Sequence, residues 1–111
     1  MENISFGNFQ KMALKVGEIK TVEDVEGADK LFKLRVDIGE PDERRLVAGI
    51  KGHYSKDELV GKKVVVLSNL EPKKIRNEMS HGMILAAVTD TPRKVVLLTV
   101  DKDIPAGTKI S

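Results

Sequence analysis

Residues 32 to 38 read Phe-Lys-Leu-Arg-Val-Asp-Ile, and this strict alternation commits the segment to a β-strand with one buried face. Phe32, Leu34, Val36 and Ile38 take the apolar side, so Phe32 is expected in the core rather than as a base-stacking platform. Lys33, Arg35 and Asp37 take the other side. A strand patterned this way needs sheet partners, and the chain offers several. Leu14 to Val22 is strand-compatible, with Gly17 where a barrel strand bends or bulges. Arg44 to Ile50 follows the turn Gly39-Glu40-Pro41-Asp42, and Lys63 to Leu70 has the apolar centre of a barrel wall. Gly82 to Val88 and Lys94 to Val100 complete the main strands, and Thr108-Lys109-Ile110 follows a last turn. Between the third and fourth strands, Ser55-Lys56-Asp57-Glu58 is a capping box, with Gly61 placed to end a helix of one or two turns.

Three strands, a short helix and further strands is the order of the OB-fold, a small Greek-key barrel. The expected fold class is therefore all-β, as one domain over residues 1–111, a length at which a single core still buries most of the chain. With 41% hydrophobic and 32% charged residues, the chain has the composition of a folded domain with a heavily charged surface. The longest apolar runs, Val64–Leu67 and Met83–Val88, fall far short of the roughly 20 residues of a membrane-spanning helix. The first residues have neither the basic start nor the apolar run of a secretory signal, so a cytoplasmic location is expected.

Catalytic chemistry finds few candidates. The absence of cysteine removes disulfides, thiolate nucleophiles and thiolate metal ligands. His53 and His81 are the only imidazoles, in turn-like contexts without metal-ligand spacing. Ser80 and His81 are adjacent, and neighbours in an extended chain point to opposite faces. Glu23-Asp24 and Asp42-Glu43 lie in polar turns that keep both carboxylates ionised. Gly49, Gly52 and Gly61 do not form a phosphate-binding loop, since no Gly-Lys-Ser/Thr precedes a helix. No catalytic residue, metal or cofactor is expected.

The net charge of +2 does not announce a polyanion partner, so the placement of charge decides. Lys73, Lys74 and Arg76 crowd together after Pro72, either as a solvated loop or as a phosphate-binding one.

Four motifs in order carry a resemblance: Ala13-Leu14-Lys15-Val16-Gly17-Glu18-Ile19, Gly27-Ala28-Asp29-Lys30-Leu31, Asn69-Leu70-Glu71-Pro72-Lys73-Lys74-Ile75-Arg76 and Ser80-His81-Gly82-Met83. Together they resemble the tRNA-binding domain family over nearly the whole chain. That family includes the C-terminal domain of methionyl-tRNA synthetases, free-standing dimeric tRNA-binding proteins and the endothelial-monocyte-activating polypeptide.

The resemblance implies an OB barrel whose C-terminal extension helps form a homodimer. It also implies a non-enzymatic module that binds tRNA with little sequence selectivity and raises tRNA affinity for a methionyl-tRNA synthetase catalytic chain. By position, the RNA-contacting residues it implies are Asn69, Lys73, Lys74, Arg76, Ser80 and Met83, with Lys30 and Lys33 near the barrel face. Lysine and arginine would neutralise phosphates, Asn69 and Ser80 would donate to phosphate or ribose, and Met83 would meet an unstacked base. Two positions depart from the family pattern: His81 stands where glutamate is common, and Asn77 where glycine is. A chaperone-like relative of the same fold, holding unfolded polypeptide, is the alternative; its mark would be an apolar rather than a basic groove.

Overall fold

The computed structural model describes residues 1–111. In chain order the elements are α1 (Phe6–Gln10), β1 (Leu14–Asp24), β2 (Phe32–Asp37), β3 (Arg44–Ala48), α2 (Lys56–Leu59), β4 (Lys63–Leu67), β5 (Lys73–Ile75), β6 (Glu78–Ser80), β7 (Met83–Ile84), β8 (Ala86–Asp90), β9 (Arg93–Leu97) and β10 (Lys109–Ile110). The main sheet runs β3-β2-β1-β4-β7, with β10 also paired to β1.

β1 organises the barrel by changing partners along its length. Leu14 to Glu18 pair with β4, and Glu18 to Asp24 pair with β2. The register shifts between Ile19 and Thr21, leaving Lys20 as a bulge that bends the strand. The sequence led us to expect the bend at Gly17, and the structure gives that residue another task. A Cβ there would lie 2.7 Å from Val36 Cγ1 and 3.0 Å from Val66 Cγ2, so only glycine lets β1 lie this close to β2 and β4 side chains.

The alternation in β2 sorts as expected: Phe32, Leu34, Val36 and Ile38 are buried, and Lys33, Arg35 and Asp37 are half-buried on the other face. They join Ile19, Leu46, Val64 and Val66 in one core, which α2 closes with the fully buried Leu59. The capping box forms, with the Glu58 amide donating to Ser55 Oγ at 3.2 Å. Residues 82–88 do not form one strand. The chain leaves β4 after β7 and enters a separate ribbon of β8 and β9, although the Leu85 amide still donates to the Val65 carbonyl. Val95 and Leu97 of that ribbon enter the core, and the Leu97 amide donates to Tyr54 Oη at 3.1 Å. The architecture is thus a nearly closed, all-β barrel of OB type with its short helix between β3 and β4.

α1 has no counterpart in the sequence expectations. Ser5 caps it by accepting from the Asn8 amide, but it lacks the glutamate of a capping box and buries no residue, so it left no amphipathic signature. Asn69 fastens the segment that follows it. Its Oδ1 accepts from the Ala13 amide at 2.8 Å, and its Nδ2 donates to the Lys11 carbonyl at 2.6 Å.

Candidate nucleic-acid interface

The basic stretch after Pro72 is an ordered hairpin. Lys73 pairs with Ser80, Lys74 with Met79 and Ile75 with Glu78, which leaves Arg76 and Asn77 as a two-residue turn. Both turn residues have positive φ, 51° and 66°, as a mirror-type hairpin turn requires. Asparagine tolerates that conformation, so Asn77 serves at the second turn position without a glycine. Arginine does not prefer it, and Arg76 is held there at a cost of roughly 1 kcal/mol.

Two contacts fix the hairpin on the barrel. Ser80 Oγ accepts from the Val47 amide at 3.0 Å and donates to the Gly82 carbonyl at 3.0 Å, with the residue 4% exposed. Its one proton is spent inside the fold, which corrects the expectation that Ser80 donates to RNA: it is a positioning residue. Arg44 is the second anchor. Its guanidinium grips Glu40 through two hydrogen bonds of 2.8 and 2.9 Å and donates to the carbonyls of Ser68 at 2.6 Å and His81 at 2.9 Å. Those carbonyls lie on either side of the hairpin, so one side chain holds both of its roots.

The hydrogen bonds from Arg44 hold the Glu40 carboxyl below its ordinary value of 4.5, and Glu40 in turn raises the Arg44 pKa. A depressed carboxylate pKa stabilises the fold above the unfolded-state value, and that stability is lost as pH falls through the folded-state value. Thermal melts from neutral pH to about pH 3 should therefore show a steeper acid loss in the parent than in Glu40→Gln. Parallel acid limbs would refute the clamp's contribution.

The remaining residues divide clearly. Lys30, in the loop between β1 and β2, and Arg76, at the hairpin tip, line one shallow pocket with Gly27, Ala28, Asp29 and Leu31. Lys33 reaches the hairpin directly, its Nζ lying 3.3 Å from Glu78 Oε1. Lys73 and Lys74 are exposed, and neither they nor Lys30 or Arg76 join any ion pair. Asn69 holds the N-terminal segment through both ends of its amide, and it stays exposed with a second N–H free. Met83 is exposed rather than core, but it sits on β7 beside Leu67 and outside the grooves that the lysines line. Sequence reasoning missed Arg35 and Arg45, which face each other across β2 and β3 at the foot of the hairpin.

A barrel with its short helix between β3 and β4, and a hairpin carrying three exposed cations beside the β1–β2 loop, defines an OB-type module. Comparison with known proteins fixes the family. Residues 14–109 match the model described as "Putative tRNA binding domain", and the chain belongs to that family. It is 50% identical over 110 residues to the methionine–tRNA ligase of Methanocaldococcus jannaschii, covering 99% of this chain and 17% of the ligase. The chain thus spans only a small part of the curated relatives it matches, and it contains no ligase catalytic domain. Its fold overlays the MetRS related protein from Pyrococcus horikoshii with a TM-score of 0.91 at 38% identity, each chain covered in full (100% and 100%). The CsaA chaperone protein of Picrophilus torridus gives a TM-score of 0.87 at 36% identity, covering 98% of this chain and 100% of that one.

Proposed function

We propose that this chain, as one domain over residues 1–111, binds tRNA without reading its sequence. It would act as the accessory module that raises tRNA affinity for a methionyl-tRNA synthetase catalytic chain, in the cytoplasm. The observation that carries the reading is the hairpin with three exposed, unpaired cations, Lys73, Lys74 and Arg76, the last of them beside Lys30. Cations carried on an anchored hairpin suit a phosphate backbone, because each contact releases counterions and none needs a particular base. Lys33 is a further phosphate ligand once Glu78 yields it. Met83 remains a candidate for an unstacked base at the edge of the face.

We further propose a homodimer, because α1, the β8–β9 ribbon and the residue after it leave Phe6, Val88, Val96 and Leu98 exposed. A two-fold axis would present two hairpins to one large RNA. The competing occupant is an unfolded polypeptide. Labelled unfractionated tRNA should bind at low salt and resist displacement by a reduced, unfolded protein, while the free protein sediments as a dimer at micromolar concentration. Displacement of tRNA by the polypeptide, or polypeptide binding alone, would hand the site to the chaperone-like function, and a monomer in the sedimentation run would remove the dimer.

A further inference from the structure

Among the cations about the hairpin, Lys30, Lys73, Lys74 and Arg76 join no ion pair, whereas Lys33 is already held by a carboxylate. Glu78 Oε1 lies 3.3 Å from Lys33 Nζ, and the two side chains are 33% and 37% exposed. Glu78 belongs to the hairpin, directly after the Arg76-Asn77 turn, while Lys33 stands on β2, so the pair spans the gap between hairpin and barrel. Glu23 stands opposite Lys33 in the β1–β2 register but forms no ion pair with it, which leaves Glu78 as the holder of this lysine.

The hairpin does not depend on this contact. Ser80 and Arg44 anchor it, and the Glu78 side chain makes no hydrogen bond besides the one to Lys33. The separation is also longer than the 2.8 Å between Arg44 and Glu40. A long, solvent-reached pair of this kind contributes little to stability. Set among phosphate-binding cations, the same carboxylate has a definite cost: it repels phosphate, and it has to release Lys33 before that lysine can bind one.

We infer that Glu78 is a built-in competitor for phosphate. It occupies Lys33 in the free protein, gives the lysine up when RNA arrives, and so sets tRNA affinity below what the cations alone would reach. The consequence is faster release, since affinity differences of this kind fall mainly in the dissociation rate. The inference rests on the tRNA reading above and adds to it the residue that limits the affinity.

The test is a double-mutant cycle on the full chain, with unfractionated tRNA binding measured for the parent, Glu78→Gln, Lys33→Ala and the double variant. Glu78→Gln should bind about fivefold more tightly than the parent, mainly through slower dissociation, with a salt slope steeper by up to about one. In the Lys33→Ala background the same change should gain about twofold or less, because an ion pair broken on binding couples the two positions. Glu71→Gln removes an exposed carboxylate of the same segment that joins no ion pair, and it too should gain about twofold or less. The melting temperature of Glu78→Gln should stay close to that of the parent. Equal gains with and without Lys33, or a gain from Glu71→Gln as large as from Glu78→Gln, would reduce the effect to general charge repulsion and overturn the inference. Unchanged or weaker binding by Glu78→Gln, or a clear fall in its melting temperature, would make the pair a structural strut and overturn it as well. If any of these accompanies tRNA binding by the parent, the competitor falls and the hairpin reading stands; a parent and variants that bind no tRNA defeat both.

Discussion

Replacing Lys73, Lys74 and Arg76 together with alanine should weaken tRNA binding roughly a hundredfold at about 0.1 M salt, given that each lost charge-assisted contact is worth about 1 kcal/mol or more. All three side chains are exposed and unpaired, so their removal takes nothing from the core. The hairpin stays in place, because Ser80 and Arg44 hold it and neither is changed. The melting temperature should therefore move little, since exposed substitutions away from such anchors are usually within about 0.5 kcal/mol. A variant that binds tRNA like the parent would show that these cations are merely solvated. One that binds weakly because it has unfolded would show a collapsed melt instead.

Gly107→Ala should be the most damaging single change to stability among those considered, at roughly 3 kcal/mol. Gly107 and Gly39 touch where the chain entering β10 crosses the turn after β2, and both have positive φ, 91° and 83°. A Cβ at Gly107 would stand 2.7 Å from the Gly39 Cα and 2.9 Å from the Ile38 carbonyl oxygen. Those obstacles are backbone and cannot swing aside as a side chain can. The loss combines about 1–2 kcal/mol for the unfavourable φ with about 1–3 kcal/mol of overpacking. It also pulls on the seam of the barrel, where the Gly107 amide donates to the Val16 carbonyl at 2.7 Å and the Val16 amide donates to the Thr108 carbonyl at 2.9 Å. Denaturant unfolding should show the midpoint falling sharply with the slope unchanged. A change under about 0.5 kcal/mol would mean that the crossing relaxes freely.

How far these features could be read from sequence depended on their length and on what holds them. β2 was plain, because Phe32 to Ile38 alternates over enough residues to admit only one register. The capping box at Ser55 and Glu58 located α2 for an equally local reason. The β5–β6 hairpin was hidden. Its strands have three residues each, too few for a period, and Arg76-Asn77 is not the Asn-Gly or Asp-Gly pair that announces such a turn. Its basic residues stood out as a charge cluster after Pro72, and the family motif then favoured a phosphate-binding loop over a solvated one.

Ser80 and Asn69 illustrate a different obstacle. A motif marks residues that matter without saying whether they touch the ligand or hold the residues that do. Both prove to be bonded within the fold, Asn69 to Lys11 and Ala13 and Ser80 to Val47 and Gly82. The arginine pair was invisible for a third reason. Arg35 reads as an ordinary solvent-facing residue of an alternating strand, and only the cross-strand register brings Arg45 opposite it.

The most direct test of the central claim is the salt dependence of tRNA affinity, measured for the parent and for the Lys73, Lys74, Arg76 triple alanine variant. A phosphate-clamping hairpin predicts that log K falls linearly with log salt in the parent, and that the slope flattens by about 2–3 in the variant, close to one unit per lost cation. Affinity that is indifferent to salt, or parallel slopes for the two proteins, would contradict it, because the hairpin would then not be where the phosphates are held.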